Sequence, residues 1–162
     1  MNSHARCAIL LVVISAALLC GNAVAAGNQA KDPFLGTWML DTDKSTFVPG
    51  PVPDDRTMTF ELKDGAFHHI TRTRNLFLGG TDDIDYTARF DGKDYPITGT
   101  GLDTISLKRI DPNTIERTGK VRGMVTETGT MKVSPDGKTL TISIKGSYNG
   151  TSYSSVQVLT RQ

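Results

Sequence analysis

Short runs of apolar and β-branched residues recur along the chain from residue 34 onward, and Gly, Asp, Asn and Pro separate them. Their spacing of roughly ten residues is typical of hairpins, and no stretch shows the 3.6-residue period of an amphipathic helix. We therefore predict an all-β fold, an antiparallel sheet that closes as an up-and-down barrel of about 8–10 strands or packs as a sandwich. The expected strands lie at 34–41, 56–63, 66–75, 84–91, 94–99, 103–110, 114–121, 124–133, 138–146 and 151–161.

Turn residues predict how neighbouring strands pair. Asp64-Gly65 favours a two-residue loop, because both residues tolerate the positive φ that such a turn requires. This register pairs Phe60 with His69, and paired residues share one face of the sheet. The residues expected on that face are Met58, Phe60, Leu62, Phe67 and His69.

Three further turns give registers in the same way. Asp91-Gly92 aligns Ala88 with Tyr95 and Tyr86 with Ile97. A four-residue loop at 134–137 aligns Met131 with Leu140, Gly129 with Ile142 and Glu127 with Ile144. Asn149-Gly150 aligns Ile144 with Ser155, Ile142 with Gln157 and Leu140 with Leu159.

The turn at Arg122-Gly123 leaves two registers open. A two-residue loop places Ile115 opposite Thr130, and a slip of one residue moves every side chain to the other face. Burial of the apolar side chains favours a three-residue loop. Its pairs are Ile115 with Met131 and Val121 with Val125.

The last strand favours a barrel over a sandwich. Its register turns Ser155, Gln157 and Arg161 inward and leaves Val156 and Val158 on the outer face. A packed sandwich would bury the two valines, whereas a barrel that holds a ligand tolerates polar side chains inside.

Residues 1–26 are predicted to be a secretory signal peptide. Arg6 precedes an apolar run at 8–19, which is shorter than the ~20 residues of a membrane-spanning helix. Ala23-Val24-Ala25 supplies the small residues for cleavage near Ala25 or Ala26, and lipid attachment at Cys20 is the less favoured alternative. We expect residues 27–33 to be a lead-in and 34–162 to be the barrel of a periplasmic or secreted protein.

Cleavage would change the composition. Removing 26 residues from 162 leaves 136, the loss of Arg6 lowers the formal charge from +1 to 0, and both cysteines are removed with the signal. A neutral domain gives no indication of binding nucleic acid or an anionic membrane. Without cysteine, the mature domain would depend on its core for stability rather than on disulfides.

Several segments resemble the calycin superfamily of lipocalins and fatty-acid-binding proteins. Phe34–Leu40, which contains Gly36-Thr37-Trp38, looks like the opening of a fatty-acid-binding protein, and Arg161 lies near the last strand as a basic residue does in calycins. Segments 90–96, 103–111 and 134–141 resemble bacterial exported lipocalin-like proteins of uncharacterised role. The resemblance covers nearly all of residues 34–162 and implies an up-and-down barrel with an internal cavity.

The chain departs from fatty-acid-binding proteins at two points. Those proteins insert two short helices after the first strand, whereas residues 42–55 are short here and are broken at Pro51-Val52-Pro53. This difference implies an open or differently closed mouth. Their last strand carries an interior Arg followed two positions later by Tyr; Arg161 matches the Arg, but Gln162 follows and no Tyr does.

The inner face supplies the candidate ligand-binding residues. Arg161 has two interpretations, a cation–π stack on Trp38 that closes the barrel end and a bidentate contact to an acidic head group. Arg117 is the first choice for a polar anchor, with Glu127 diagonally opposite as its partner, because a buried charge needs one. Arg72 and Arg109 are expected to extend to the rim. The full candidate set is Trp38, Met58, Phe60, Phe67, His69, Tyr86, Phe90, Leu107, Arg117, Ile142 and Arg161, and Ile105 and Ile144 share the inner face.

We predict no metal, cofactor or catalytic centre. His68 and His69 are adjacent, so they face opposite sides of a strand and cannot easily share a metal. His69 is expected to be a core or cavity histidine, and Asp82-Asp83 a polar loop. No nucleophile elbow or phosphate-binding loop appears.

Three functions remain open at this point. The first is an exported carrier or sensor for a small apolar or amphipathic ligand held inside the barrel. The second is a structural or interaction module whose barrel is filled by its own side chains. The third is an enzyme that uses His69 or Arg117. An internal cavity would favour the first and a filled barrel the second.

Overall fold

Eleven strands form one antiparallel sheet in the part of the chain that the computed structural model describes, residues 32–75 and 80–162. The predicted signal peptide, 1–26, lies outside the described residues. A 3-10 helix, Thr42–Lys44, follows the first strand. The strands are β1 (Gly36–Leu40), β2 (Thr46–Val48), β3 (Asp55–Lys63), β4 (Ala66–Asn75), β5 (Gly80–Ala88), β6 (Tyr95–Thr98), β7 (Thr104–Asp111), β8 (Thr114–Val121), β9 (Met124–Val133), β10 (Thr139–Tyr148) and β11 (Thr151–Arg161).

The sheet closes through β1, which pairs with β3 along one edge and with β11 along the other. β3 to β11 follow one another in sequence order, so ten strands form an up-and-down barrel. The expected all-β barrel is confirmed, and the sandwich alternative is wrong. β2 pairs with β11 further along the edge that β1 occupies. The sequence did not predict β2, because three residues are too few to show an alternating pattern.

Two turns set the registers that the sequence predicted. Asp64-Gly65 and Asn149-Gly150 both have positive φ at each residue. Such turns match the twist of the strands they join. The observed pairs include Phe60 with His69 and Met58 with Thr71 across the first turn, and Ile144 with Ser155, Ile142 with Gln157 and Leu140 with Leu159 across the second.

The β8–β9 hairpin combines the two registers that were left open. Arg122-Gly123 forms a two-residue turn with positive φ at both residues, so the expected three-residue loop is wrong. Thr126, an extra residue in β9, then makes a β-bulge that shifts the pairing by one position. The resulting pairs are Val121 with Met124, instead of Val125, beside the turn and Ile115 with Met131, as expected, beyond the bulge.

The β9–β10 register differs by two residues from the expected one. Leu140 pairs with Val133 and not with Met131. The backbone N–H of Ser134 donates to the carbonyl oxygen of Thr139 at 2.8 Å, so Ser134 belongs to the ladder and the loop comprises residues 135–138. A shift of two residues preserves the inward face, which is why hydrophobic patterning did not detect it.

Three further expectations are wrong. Leu62 alternates with Met58 and Phe60 and was expected on the inner face. It lies beyond the part of β3 that pairs with β1, and 58% of its surface is exposed. Asp82 and Asp83 belong to β5 and not to a polar loop. Tyr86 pairs with Ile97 as predicted, but this is the last pair before the connection, so the expected pairing of Ala88 with Tyr95 across a two-residue turn at Asp91-Gly92 is wrong.

One end of the barrel, here called the closed end, is sealed by the segment before β1. The ring of Trp38 lies 4.1 Å from the guanidinium carbon of Arg161, which confirms the expected stacking. Arg161 Nε donates to the carbonyl oxygen of Gly137 and Nη1 to that of Leu35, both at 2.7 Å, and Nη2 donates to that of Pro33. The guanidinium therefore joins the first strand, the last strand and a turn.

The opposite end, the open end, carries the β8–β9 and β10–β11 turns. No helix among the described residues is long and apolar enough to cross a bilayer.

Replacing Arg161 should destabilise the barrel more than replacing an outward-facing arginine. In Arg161→Met, the carbonyl oxygens of Pro33, Leu35 and Gly137 lose their donor and Trp38 loses its cation. We expect the free energy of unfolding, measured with urea, to fall by about 2–4 kcal/mol. The control, Arg72→Met on the exposed side of β4, should change it by less than about 0.5 kcal/mol. Equal losses in the two variants would contradict this role of Arg161.

Candidate ligand-binding site

The barrel interior divides into an apolar half at the closed end and a polar half toward the open end. In the apolar half, the rings of Phe60 and Phe67 stack with centroids 5.1 Å apart, and Phe34 meets Phe67 edge-on at 6.4 Å. Trp38 and the three phenylalanines belong to one cluster of buried residues, so this half serves as core. The candidates Trp38, Met58, Phe60, Phe67, Leu107 and Ile142 are all buried, as are Ile105 and Ile115, but Leu107 pairs with Arg117 and Ile105 with Gly119, so these two border the polar half.

The polar half centres on an ion pair that the sequence predicted. Arg117 Nη2 lies 2.5 Å from Glu127 Oε1, and the two side chains are only 12% and 10% exposed. The Tyr153 hydroxyl donates to Glu127 Oε2 at 2.8 Å. Both carboxylate oxygens therefore have donors, as a buried carboxylate requires.

Glycine makes room for this network. A Cβ on Gly146 would lie 2.4 Å from Cζ of Tyr153 and 2.8 Å from the carbonyl oxygen of Thr126. The Tyr153 ring can lie over Gly146 because that position has no side chain, and its hydroxyl then reaches Glu127.

His69 and Tyr86 lie beside each other on the inner face of β4 and β5. Their ring centroids are 4.7 Å apart, and the His69 ring is 4.5 Å from that of Phe60. Burial, with the nearby charge of Arg117, lowers the pKa of His69 well below its usual 6.5, so the ring is neutral. Burial raises the pKa of Tyr86 to about 12, so its hydroxyl keeps its proton. The charge of Arg117 also acts on the pKa of Tyr86, which it lowers against the larger effect of burial.

Several buried polar atoms in this half have no hydrogen-bond partner within the described part of the chain. They are His69 Nδ1, the Tyr86 hydroxyl, Arg117 Nε and Thr126 Oγ1. The other ring nitrogen of His69 is engaged, at 2.6 Å from the Thr71 hydroxyl. An unsatisfied buried polar group costs about 1–3 kcal/mol, and native structures contain few of them.

A cleft of about 330 Å3 lies at the open end of the barrel. Leu102, in the β6–β7 connection, lies over Gly119, where a Cβ would come within 2.6 Å of it. Tyr153 lines the cleft and also reaches the Glu127 network, so the cleft adjoins the polar half. The lining residues are Thr100, Gly101, Leu102, Val121, Thr126, Ser147, Tyr148 and Tyr153.

Arg56 lies at the seam where β3 approaches β11. Its Nη1 donates to Gln157 Oε1 at 2.7 Å and its Nε to the Thr73 hydroxyl at 3.0 Å, while its guanidinium carbon lies 5.3 Å from the Phe47 ring. Arg56 and Tyr153 were not predicted as site residues. Residues two apart on a strand share a face, so the inward Met58 and Ser155 could have indicated that Arg56 and Tyr153 also point inward.

Other candidates lie away from the polar half. Arg161 is engaged at the closed end, and Phe90 is there too, 4.2 Å below the guanidinium carbon of Arg109. His68 faces outward, 2.9 Å from Glu61 and 3.1 Å from Asp85, so the expected opposite orientation of the two histidines is confirmed. No group of three or more His, Cys, Asp or Glu side chains suited to a metal occurs in the described ranges.

The chain resembles solved structures, but no family model and no curated protein matches it. Among solved structures, it is similar to the zebrafish ileal bile acid-binding protein complexed with cholic acid, with 11% sequence identity and a TM-score of 0.49 over 80% of this chain and 99% of that one. The topology of this chain is that of an up-and-down barrel, a closed ring of ten antiparallel strands in sequence order.

The neutral state of His69 should make stability depend on pH. Because its folded pKa is lowered, the unfolded chain binds a proton that the folded protein does not, so stability is full above about pH 6.5 and is lost as the pH falls below it. We expect the wild type to lose up to about 1.4 kcal/mol per pH unit more than His69→Gln in urea denaturation. If the free energy of unfolding of the wild type and of His69→Gln changed with pH in the same way, His69 would have the same pKa in the folded and unfolded states, and the prediction would be wrong.

Adding a methyl group at Gly146 should disconnect Tyr153 from Glu127. We expect Gly146→Ala to lower the free energy of unfolding by about 1–3 kcal/mol, because its Cβ would meet both Tyr153 and the β9 backbone. In that background, Tyr153→Phe should cost nothing further, which a double-mutant cycle measures. The control is Gly101→Ala, whose Cβ would lie an ordinary 3.5 Å from Tyr148. A full Tyr153→Phe cost in both backgrounds would contradict the contact.

Proposed function

We propose that this protein binds a small amphipathic molecule in the polar half of its barrel, as a carrier or sensor. The observation that carries the proposal is the set of buried polar atoms that have no hydrogen-bond partner among the described residues, His69 Nδ1, the Tyr86 hydroxyl and Arg117 Nε. Such groups are costly unless something else satisfies them. A ligand with a polar end would do so.

The cleft at the open end supports the same proposal. It joins apolar side chains, Leu102 and Val121, with the aromatic rings of Tyr148 and Tyr153. Ligand sites are typically concave and mostly apolar, with a few polar groups that orient the ligand. The apolar part of the ligand would occupy this cleft, and its polar end would point toward Tyr86 and Arg117.

We further propose that the protein acts outside the cytoplasm. The basis is the pattern at 1–26, a basic start, an apolar run and small residues before the cleavage position. A carrier or sensor of an amphipathic molecule is compatible with such a location.

The alternative is an interaction module without a small-molecule ligand. The filled apolar half favours it, because the largest side chains there, including Trp38, Phe34 and Phe60, are less than 2% exposed. The two functions differ in the polar half. In an interaction module nothing would satisfy the unpartnered donors inside the barrel. In a binding protein the ligand would satisfy them.

Native mass spectrometry can test for a bound molecule. The full-length sequence is expressed in a host that secretes proteins, and the protein that results is purified. Binding can also be followed with Nile red, a neutral apolar dye whose fluorescence rises on transfer from water. We expect a co-purifying small molecule, or saturable dye binding that the molecule displaces. Repeated absence of both would favour the interaction module.

Removing the Tyr86 hydroxyl should separate stability from binding. In Tyr86→Phe an unsatisfied buried group disappears, so we expect the free energy of unfolding to rise by about 1 kcal/mol. The affinity for Nile red or the co-purified molecule should fall about fivefold to tenfold.

The matched control is Tyr95→Phe. The Tyr95 hydroxyl donates to Asp91 at 3.0 Å in a solvent-exposed hydrogen bond. We expect this variant to lose a little stability and to keep its affinity. A stability loss with unchanged affinity in Tyr86→Phe would refute the proposed site.

A further inference from the structure

We infer that the polar end of the ligand is an uncharged hydrogen-bond acceptor, such as an amide or ketone carbonyl, and that the site discriminates against a carboxylate. This inference rests on the proposed function and specifies the ligand class for the same site. It is carried by the ion pair, the donors beside it and the burial of both.

The charge of Arg117 is already compensated. Its Nη2 lies 2.5 Å from Glu127, and the second carboxylate oxygen accepts from Tyr153. Both members of the pair are nearly buried, so solvent screens them weakly. A ligand carboxylate beside Arg117 would be a second anion near Glu127, at the cost of its own desolvation.

The unpartnered atoms are suited to one oxygen acceptor. Arg117 Nε can only donate, and the Tyr86 hydroxyl is protonated and able to donate. A carbonyl oxygen has two lone pairs and can accept from either of these donors. The neutral ring of His69, next to Tyr86, adds Nδ1 as a third polar atom whose role depends on the tautomer.

Arg56 is a cation whose charge could make the site prefer a carboxylate to an uncharged carbonyl group. It lies at the seam and donates to Gln157 and Thr73. If an anionic ligand bound at this seam, its affinity would depend on Arg56 rather than on Tyr86 and Arg117. A substitution at Arg56 therefore distinguishes the two arrangements.

The experiment compares two ligands that differ only in the head group, decanamide and decanoate, as competitors of Nile red on the full-length product at neutral pH. Decanoate is ionised under these conditions. For the wild type we expect decanamide to bind at least about tenfold more tightly than decanoate.

Glu127→Gln should reverse the preference. The glutamine oxygen can still accept from Arg117, but the negative charge is gone and the Arg117 charge becomes available to a carboxylate. We expect decanoate to gain at least about tenfold in affinity and decanamide to change little. The control is Glu116→Gln, the neighbouring acid on the exposed face of β8, which should leave both affinities unchanged.

Equal or tighter binding of decanoate by the wild type would overturn the inference while leaving the proposed function intact. Loss of that decanoate binding in Arg56→Gln would then assign the anion to the seam. If neither ligand displaces the dye and no molecule co-purifies, the proposed function and the inference both fail. If Glu127→Gln does not fold, as judged by circular dichroism, the wild-type comparison decides alone.

Discussion

The pairing of β1 with both β3 and β11 is the constraint on which the rest of the structure depends. A closed sheet has no free edge along the ring, and it creates an inside that no single hairpin possesses. Arg161 strengthens this closure, because it contacts the segment before β1, the Trp38 ring and the β9–β10 turn at once. The contacts of Arg161 lie at the closed end, where the large aromatic side chains also pack.

The two halves of the interior contribute differently to free energy. Tightly packed aromatic and aliphatic side chains at the closed end provide burial and dispersion. Toward the open end, a buried ion pair and several unsatisfied donors offset part of that gain. Such an arrangement is typical of binding sites, where groups that are poorly satisfied in isolation become complementary to a ligand. Stability at one end thus permits an unfavourable arrangement at the other.

Local chemistry in the sequence was sufficient for the barrel class, two hairpin registers and the Arg117–Glu127 pair, because turn types and face alternation are local rules. The β9–β10 register was wrong because a two-residue shift leaves the same face buried. Leu62 followed the alternation but lies where β3 has no partner in β1. The unpartnered atoms and the cleft could not be predicted from the sequence, because each combines several strands: the atoms lie on β4, β5, β8 and β9, and the cleft is lined by the β6–β7 connection and by β8 to β11.

The bulge at Thr126 has a consequence for how this barrel can vary. A β-bulge accommodates one extra residue in one of two paired strands. The register between the bulge and the β8–β9 turn can therefore differ from the register on the far side of the bulge. Changes in length at the β8–β9 turn can be accommodated there without rotating Arg117 or Glu127 out of the interior. The turn at the open end can thus change in length while the Arg117–Glu127 pair keeps its position inside the barrel.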